Sequence, residues 1–304
     1  MALRFGRSMP PGDATQPEAI VLGIPYEAGC SWKRGTALAP SRIRELASIV
    51  PPFTERGGLI PWQRVLDLGN LPLPDLDRLS ADEAFIRLEE SLQDFLAPFI
   101  PMLSSGTRLF TLGGDHSITS ALFSWLNRIM DRPPVKLLYL DAHPDLCDEF
   151  QNARHSHACV FARVLDRTGL SPSGILGIGI RSYEASEIAF HDINPHTWIA
   201  AADLDGMTAE HVDAMVRDFL GQDPFYLSVD IDVLDPAAAP GTGVLEPGGL
   251  TTRQLLRILE PTIQSHSLVG FDLVEVSPPL DEGDRTSLTA LKILGEALGA
   301  LRKG

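Results

Sequence analysis

An apolar run that stops on acid and imidazole limits this 304-residue chain more than any other feature. Residues 137–146 read L-L-Y-L-D-A-H-P-D-L, a buried-strand pattern closed by Asp141, His143 and Asp145. In extended backbone the side chains at i, i+2 and i+4 share one face at roughly 6.5 Å per step, so three metal-competent groups are expected to leave the strand end together. Residues 225–232, F-Y-L-S-V-D-I-D, repeat the pattern with Asp230 and Asp232. A third run, 108–112, leads into Gly113-Gly114-Asp115-His116-Ser117.

Further apolar runs lie at 18–24, 64–68, 174–180, 197–200 and 268–276. Most are separated by stretches of helical character at 40–49, 80–95, 117–129, 157–166, 209–220, 251–264 and 285–301, the second of which opens on a Ser80–Glu83 capping box. Continuous apolar strands alternating with helices predict an α/β fold, with a mainly parallel sheet of about eight strands covered on both faces. Ligands in such sheets sit beyond the carboxyl ends of the strands, where all three polar clusters fall. With no repeat, low-complexity tract or composition shift, residues 18–304 are expected to form one domain behind a loose polar arm, 1–17.

The formal charge of −15 argues against nucleic acid and anionic membranes as partners, and favours cationic small molecules. No apolar run reaches the ~18 residues of a membrane span, and the N-terminus lacks the apolar segment of a secretion signal. Cys30, Cys147 and Cys159 are odd in number and lack C-x-x-C spacing, which fits reduced thiols in a cytoplasm.

Any one of Asp141, Asp145, Asp230 and Asp232 could be a plain turn residue. As a group they resist that reading, because carboxylates converging on one sheet edge repel unless cations intervene. Oxygen and imidazole donors without thiolate suit Mn, Fe, Ni or Zn, and an oxygen-rich set leans towards Mn. His116, His143 and the four aspartates make six available groups. One metal would use three to five of them, whereas two metals ~3.5–4 Å apart could share bridging carboxylates. Four carboxylates against two divalent ions give a near-neutral shell, which favours the dinuclear reading.

Four stretches resemble, in order and rough spacing, the signatures of the ureohydrolase family of arginases and agmatinases over about residues 18–300: G-G-D-H-S at 113–117, D-A-H-P-D at 141–145, S-V-D-I-D-V-L-D-P at 228–236 and D-L-V-E-V-S-P at 272–278. The resemblance implies a single three-layer α/β/α domain with an eight-stranded parallel sheet. It also implies two Mn(II) ions per chain, with Ni or another divalent ion as the alternative, and hydrolysis of a guanidino group to urea and an amine. It places His116, Asp141, Asp145 and Asp230 on one ion and Asp141, His143, Asp230 and Asp232 on the other, so that Asp141 and Asp230 bridge.

By the same resemblance Glu275 grips the guanidinium through a bidentate, charge-assisted pair. His157, in Ser156-His157-Ala158-Cys159, passes a proton to the departing amine, with His155 as the alternative. Asp141, as a bridge, joins His157 and Glu275 in the catalytic set, and Thr242, in Ala239-Pro240-Gly241-Thr242-Gly243, joins them at the substrate. Asp115, Ser117 and Asp235 lie inside motifs but out of ligand phase, which gives them supporting or turn roles. His191, His196, His211 and His266 have no motif around them and are expected to be structural or surface residues. A homo-oligomer, trimer or hexamer, is implied as well.

Arginases carry an Asn immediately after the D-A-H-x-D-I stretch that helps hold the substrate's α-carboxylate. Cys147 stands there in this chain and offers little to an anion. That departure favours a substrate without the carboxylate, and S-H-A-C and L-E-P-G-G look closer to agmatinase-like members. Agmatine, a dication cleaved to putrescine and urea, is the first choice. Guanidinobutyrate, guanidinopropionate, guanidine, arginine, proclavaminate and formiminoglutamate are the other guanidino substrates of the family. A non-catalytic homologue serving as a partner subunit, and a one-metal deacetylase on a similar fold, are alternatives that the intact ligand set disfavours.

Overall fold

The computed structural model describes residues 4–6, 8–9, 16–130, 135–194 and 197–301. All eight apolar runs become strands: β1 (Ala19–Gly23), β2 (Val65–Asn70), β3 (Arg108–Leu112), β4 (Lys136–Leu140), β5 (Ile175–Ile180), β6 (Trp198–Ala200), β7 (Phe225–Asp230) and β8 (Leu268–Val274). They form one sheet in the order β2-β1-β3-β8-β7-β4-β5-β6, and every adjacent pair is parallel.

Strand alternation divides the core into two layers. Leu138 and Leu140 of β4, with Phe225, Leu227 and Val229 of β7, face one side, under helices Ala39–Leu46, Ala209–Leu220, Thr252–Ser265 and Arg285–Ala300. Leu137, Tyr139 and Tyr226 face the other, under helices Ala81–Leu96, Ile118–Ile129 and Val160–Thr168. Because both faces are covered, the central strands read as unbroken apolar runs. The Ser80–Glu83 capping box is present, with each side chain accepting from the other residue's backbone N–H.

Besides the short helices Ile100–Ser104 and Ala201–Leu204, two regions depart from the sequence reading. Helix Ala185–Ile193, between β5 and β6, carries no signature, because it buries only Glu187 and leaves Ile188 and Ile193 48% and 80% exposed. Without an apolar stripe there is no helical period to detect. In the expected loose arm, Phe5 is buried and stacked on Trp62 with ring centroids 4.6 Å apart, and its N–H donates to Asp67 Oδ2 at 2.7 Å. The Met9 N–H donates to the Val65 carbonyl at 2.8 Å, so this part of the arm is held against β2. His196 lies outside the described residues. No helix among the described residues is long and apolar enough to cross a membrane.

The strand order positions the site. β3, β8, β7 and β4 are consecutive neighbours at the centre of the sheet although their sequence positions span residues 108–274. Their four polar motifs therefore emerge side by side at one carboxyl edge.

Candidate active site

β4 ends at Leu140, so Asp141, His143 and Asp145 do not converge by strand alternation. The chain turns instead, and Asp145 takes a left-handed backbone with φ of 50°, which returns its carboxylate to the site. Asp230 is the last residue of β7 and Asp232 sits in the 3₁₀ turn Ile231–Val233, whose N-cap is Asp230: its Oδ1 accepts from the Asp232 N–H at 2.8 Å. His116 follows Gly113-Gly114 after β3. A Cβ on Gly114 would lie 1.6 Å from the Tyr26 carbonyl oxygen, so only glycine lets this turn pack.

His116 Nδ1 lies 2.9 Å from Asp145 Oδ2, 3.1 Å from Asp141 Oδ2 and 3.4 Å from Asp230 Oδ2. His143 Nδ1 lies 3.1 Å from Asp232 Oδ2 and 3.6 Å from Asp141 Oδ1. Two sets of donors are thus close enough to hold an ion each, His116 with Asp141 and Asp230, and Asp141 with His143 and Asp232. Asp141 is common to both, one oxygen towards each. Asp230 belongs to the first set, with its other oxygen engaged by the Asp232 N–H.

The hydrogen bonds around His116 fix what its ring presents. Asp272 accepts from the Ser228 hydroxyl at 2.6 Å, from the Tyr226 hydroxyl at 2.7 Å and from the Thr119 hydroxyl at 2.8 Å. The Ser228 proton is therefore committed to Asp272, and Ser228 Oγ accepts from His116 Nε2–H at 2.9 Å. Nδ1 faces three carboxylates: burial works to lower the His116 pKa, but Asp141 and Asp145 outweigh it and raise it well above the usual imidazole range, so this nitrogen holds a proton unless an ion takes its place. Both His116 Nδ1 and Asp141 Oδ2 are buried without a hydrogen-bond partner. Such a knot holds together only through protons or cations. Burial, with the Asp141 charge, pushes Asp145 up to about 7, and burial with the Asp232 and Asp141 charges lifts Asp230 well above the usual carboxylate range. Divalent ions suit the site better than protons: the donors are oxygen and imidazole, and the orphaned pair lies where an ion would sit.

Beside this cluster lies a Glu–His pair. Glu275, the residue after β8, also has a left-handed backbone, with φ of 63°, and is buried. Its Oε1 accepts from the His116 N–H at 2.8 Å and meets His157 Nδ1 at 3.0 Å. His157 Nε2 in turn meets Ser31 Oγ at 2.7 Å, and the His157 N–H donates to the Gly29 carbonyl at 3.1 Å. Burial works to lower the His157 pKa, but the Glu275 carboxylate outweighs it and raises the imidazole to about 9. The reverse holds for Glu275, where burial works upward and the His157 charge keeps the carboxyl below its ordinary value.

His155 points elsewhere, with Nδ1 2.9 Å from Asp82 Oδ1 and its ring stacked on Phe85 at 4.2 Å. Asp115 accepts from the Gly29 N–H at 2.7 Å and from the Ser117 N–H and hydroxyl, tying the 27–31 loop to the site from outside the cluster. Asp235 accepts from the Ala237 N–H in its own turn and from the Gly248 N–H of the loop that returns beside it.

A cavity of about 240 Å³ opens over these groups. His143, Asp145, Asp230, Asp232, His157, Glu275 and Thr242 line it, and so does Cys147. Ser31, Tyr183, Glu184, Glu187 and Glu246 also line it, without having been singled out in the sequence. They come from loops and from the helix with no apolar stripe, where spacing carries no signal.

A three-layer α/β/α fold thus carries a cavity lined by carboxylates and imidazoles at the carboxyl edge of its parallel sheet, the setting of a hydrolytic enzyme. The chain belongs to the arginase family, whose sequence pattern matches residues 17–299. It is 32% identical over 303 residues to the guanidinobutyrase of Pseudomonas aeruginosa, covering 98% of this chain and 91% of that protein. The structure of proclavaminate amidino hydrolase from Streptomyces clavuligerus superposes with a TM-score of 0.84 at 29% identity, over 99% of this chain and 96% of the other. That of agmatine ureohydrolase from Thermoplasma volcanium gives 0.81 at 28% identity, over 99% and 94%.

Proposed function

We propose that this ureohydrolase holds two Mn(II) ions and hydrolyses agmatine to putrescine and urea. The observation that carries the reading is the buried knot of His116 Nδ1 and Asp141 Oδ2, set next to the Glu275–His157 pair in one cavity. His116, Asp141, Asp145 and Asp230 would hold one ion and Asp141, His143, Asp230 and Asp232 the other, the arrangement that resemblance to the family implies. Two divalent ions supply the positive charge that makes hydroxide available from water near neutral pH.

The chain's own residues do the rest. A guanidinium carbon is poorly electrophilic because its charge is delocalised, so the group must be held firmly and in one orientation. Glu275 supplies a buried carboxylate for a bidentate grip. His157 lies 3.0 Å from that carboxylate, where the neutral imidazole can take the proton released by the attacking water and hand it to the nitrogen that leaves as the amine. Thr242, on the cavity wall, borders the bound substrate. Addition of water across the C–N bond then yields urea and a protonated amine, with atoms and charge in balance.

Buried Cys147 on the wall gives a substrate α-carboxylate nothing to pair with, which supports agmatine over arginine. Similarity does not choose among guanidino substrates, since the relatives bear different substrate names. Free Cys30, Cys147 and Cys159 fit a reducing cytoplasm, and the homo-oligomer and the manganese rest on likeness to the family. A screen for urea release across guanidino compounds, with Mn-loaded and Ni-loaded protein compared, tests the reading. Agmatine with Mn is expected to lead, and absence of urea from every compound would contradict it.

Two expectations attach to His157. His157→Ala should lower kcat by about 10²–10⁴-fold, the usual worth of a positioned acid or base, with bound metal unchanged. His155→Ala should leave kcat within threefold, and the reverse pattern would transfer the role to His155. The second concerns pH. In the free site a protonated His157 and the substrate guanidinium compete for one carboxylate. The His157 pKa is raised to about 9, so the proton is held below that pH and released above it. kcat/KM, which reports the free enzyme, should therefore climb from pH 6 towards about 9. A profile flat across that range would contradict the competition.

A further inference from the structure

The mechanism above uses Glu275, His157 and the candidate metal ligands, and the rest of the cavity wall has a charge pattern of its own. Seven carboxylates line the cavity; Asp145, Asp230, Asp232 and Glu275 belong to the groups above, Glu184, Glu187 and Glu246 remain, and among the described residues no lysine or arginine lines it. Arg181, just beyond β5, is committed to backbone: its guanidinium donates to the carbonyls of Gly179, Asp232, Val233, Leu234 and Glu246. Arg154 and Arg163 are paired with Asp148 and Asp166. A guanidino acid held at Glu275 would carry its carboxylate towards Glu184, Glu187 and Glu246, with no lysine or arginine on the wall to receive it. An ammonium there would meet three carboxylates.

Glu246 is the carboxylate free to receive that ammonium. Glu187 is buried and already accepts from the Leu146 and Glu184 N–H groups at 2.8 Å each, and Glu184 caps its helix. Glu246 has a side chain 29% exposed at the cavity wall. Its Oε1 accepts from Ser182 Oγ at 3.0 Å and stands 3.6 Å from His143 Nε2, beyond hydrogen-bond range. Its Oε2 takes no hydrogen bond among the described residues. The backbone beneath it is fixed: Arg181 Nη2 and Nε donate to the Glu246 carbonyl at 2.6 and 3.1 Å. Gly249 leaves room for that clamp, since a Cβ there would sit 2.6 Å from Arg181 Nη2. Arg181 thus positions Glu246 without neutralising it at the carboxylate.

We infer that Glu246 is the specificity-determining residue for the far end of the substrate, selecting a guanidino compound that ends in an ammonium over one that ends in a carboxylate. The inference rests on the cavity being a guanidino-hydrolase site, and it adds the residue that reads the end of the substrate away from its guanidino group. The test uses the metal-loaded protein and three probes of equal chain length: agmatine with an ammonium end, butylguanidine with a neutral end and 4-guanidinobutyrate with a carboxylate end. Wild-type kcat/KM should fall in that order. In Glu246→Gln the ratio of agmatine to butylguanidine should fall about tenfold, and the ratio of agmatine to 4-guanidinobutyrate further still. An equal loss on all three probes would overturn the inference, because Glu246 would then act through His143, and a matching fall in bound metal would locate that effect. A wild-type preference for 4-guanidinobutyrate, or unchanged ratios in the variant, would overturn it while leaving guanidino hydrolysis intact. No urea from any probe would overturn both.

Discussion

Glu275→Gln is expected to lower kcat/KM for every guanidino substrate by roughly 30- to 4,000-fold, with fold and bound metal retained. The factor follows from truncating one side of a buried charged pair, about 2–5 kcal/mol, at 1.4 kcal/mol per decade. Glutamine keeps the size and retains an oxygen for the His116 N–H that Glu275 Oε1 accepts at 2.8 Å. What it removes is the charge that faces both His157 and the incoming guanidinium. The loss should be alike for all substrates, because the contact is to the group they have in common. That separates Glu275 from Glu246, whose loss should depend on the far end. A drop below threefold in Mn-loaded protein would leave Glu275 as only a strand-end residue with an unusual backbone.

Asp141→Asn should have the second large effect. Asp141 is the one carboxylate in both donor sets, with Oδ2 towards His116 and Oδ1 towards His143. Changes just outside a metal's ligands typically cost 10–100-fold in affinity, so loss of a shared ligand should exceed about 100-fold and affect both ions. Asp230→Asn tests the second bridge that the family resemblance implies: both ions should again weaken, although Asp230 lies in the first set alone. Metal titration of the two variants separates the cases. Retention of one ion at wild-type affinity in Asp141→Asn would contradict the shared-ligand role.

The sheet and the inner site were legible in the sequence for a common reason. A strand buried on both faces must be apolar throughout, so its end is marked where acid or imidazole interrupts the run, as at Leu140–Asp141 and Val229–Asp230. That the four motif-bearing strands are neighbours was not written in the runs themselves; the ordering β3-β8-β7-β4 is a matter of topology. Nor was the route by which the ligands converge. Asp145 and Glu275 reach the site through left-handed backbone, which no alternation of apolar and polar residues encodes. The outer wall was the least legible. Ser31, Tyr183 and Glu246 come from loops, and Glu184 and Glu187 from the start of a helix whose one fully buried residue is Glu187. Their roles depend on what packs beside them, and a lone Glu in a Pro/Gly-rich turn gives no sign of it.

The claim on which the rest depends is that six side chains from three strand ends form one two-ion centre. Elemental analysis of fully active protein, after removal of loosely bound metal, tests it most directly. The expected result is two divalent ions per chain, with urea release lost as they are stripped and recovered as they are returned. One ion per chain at full activity would contradict it.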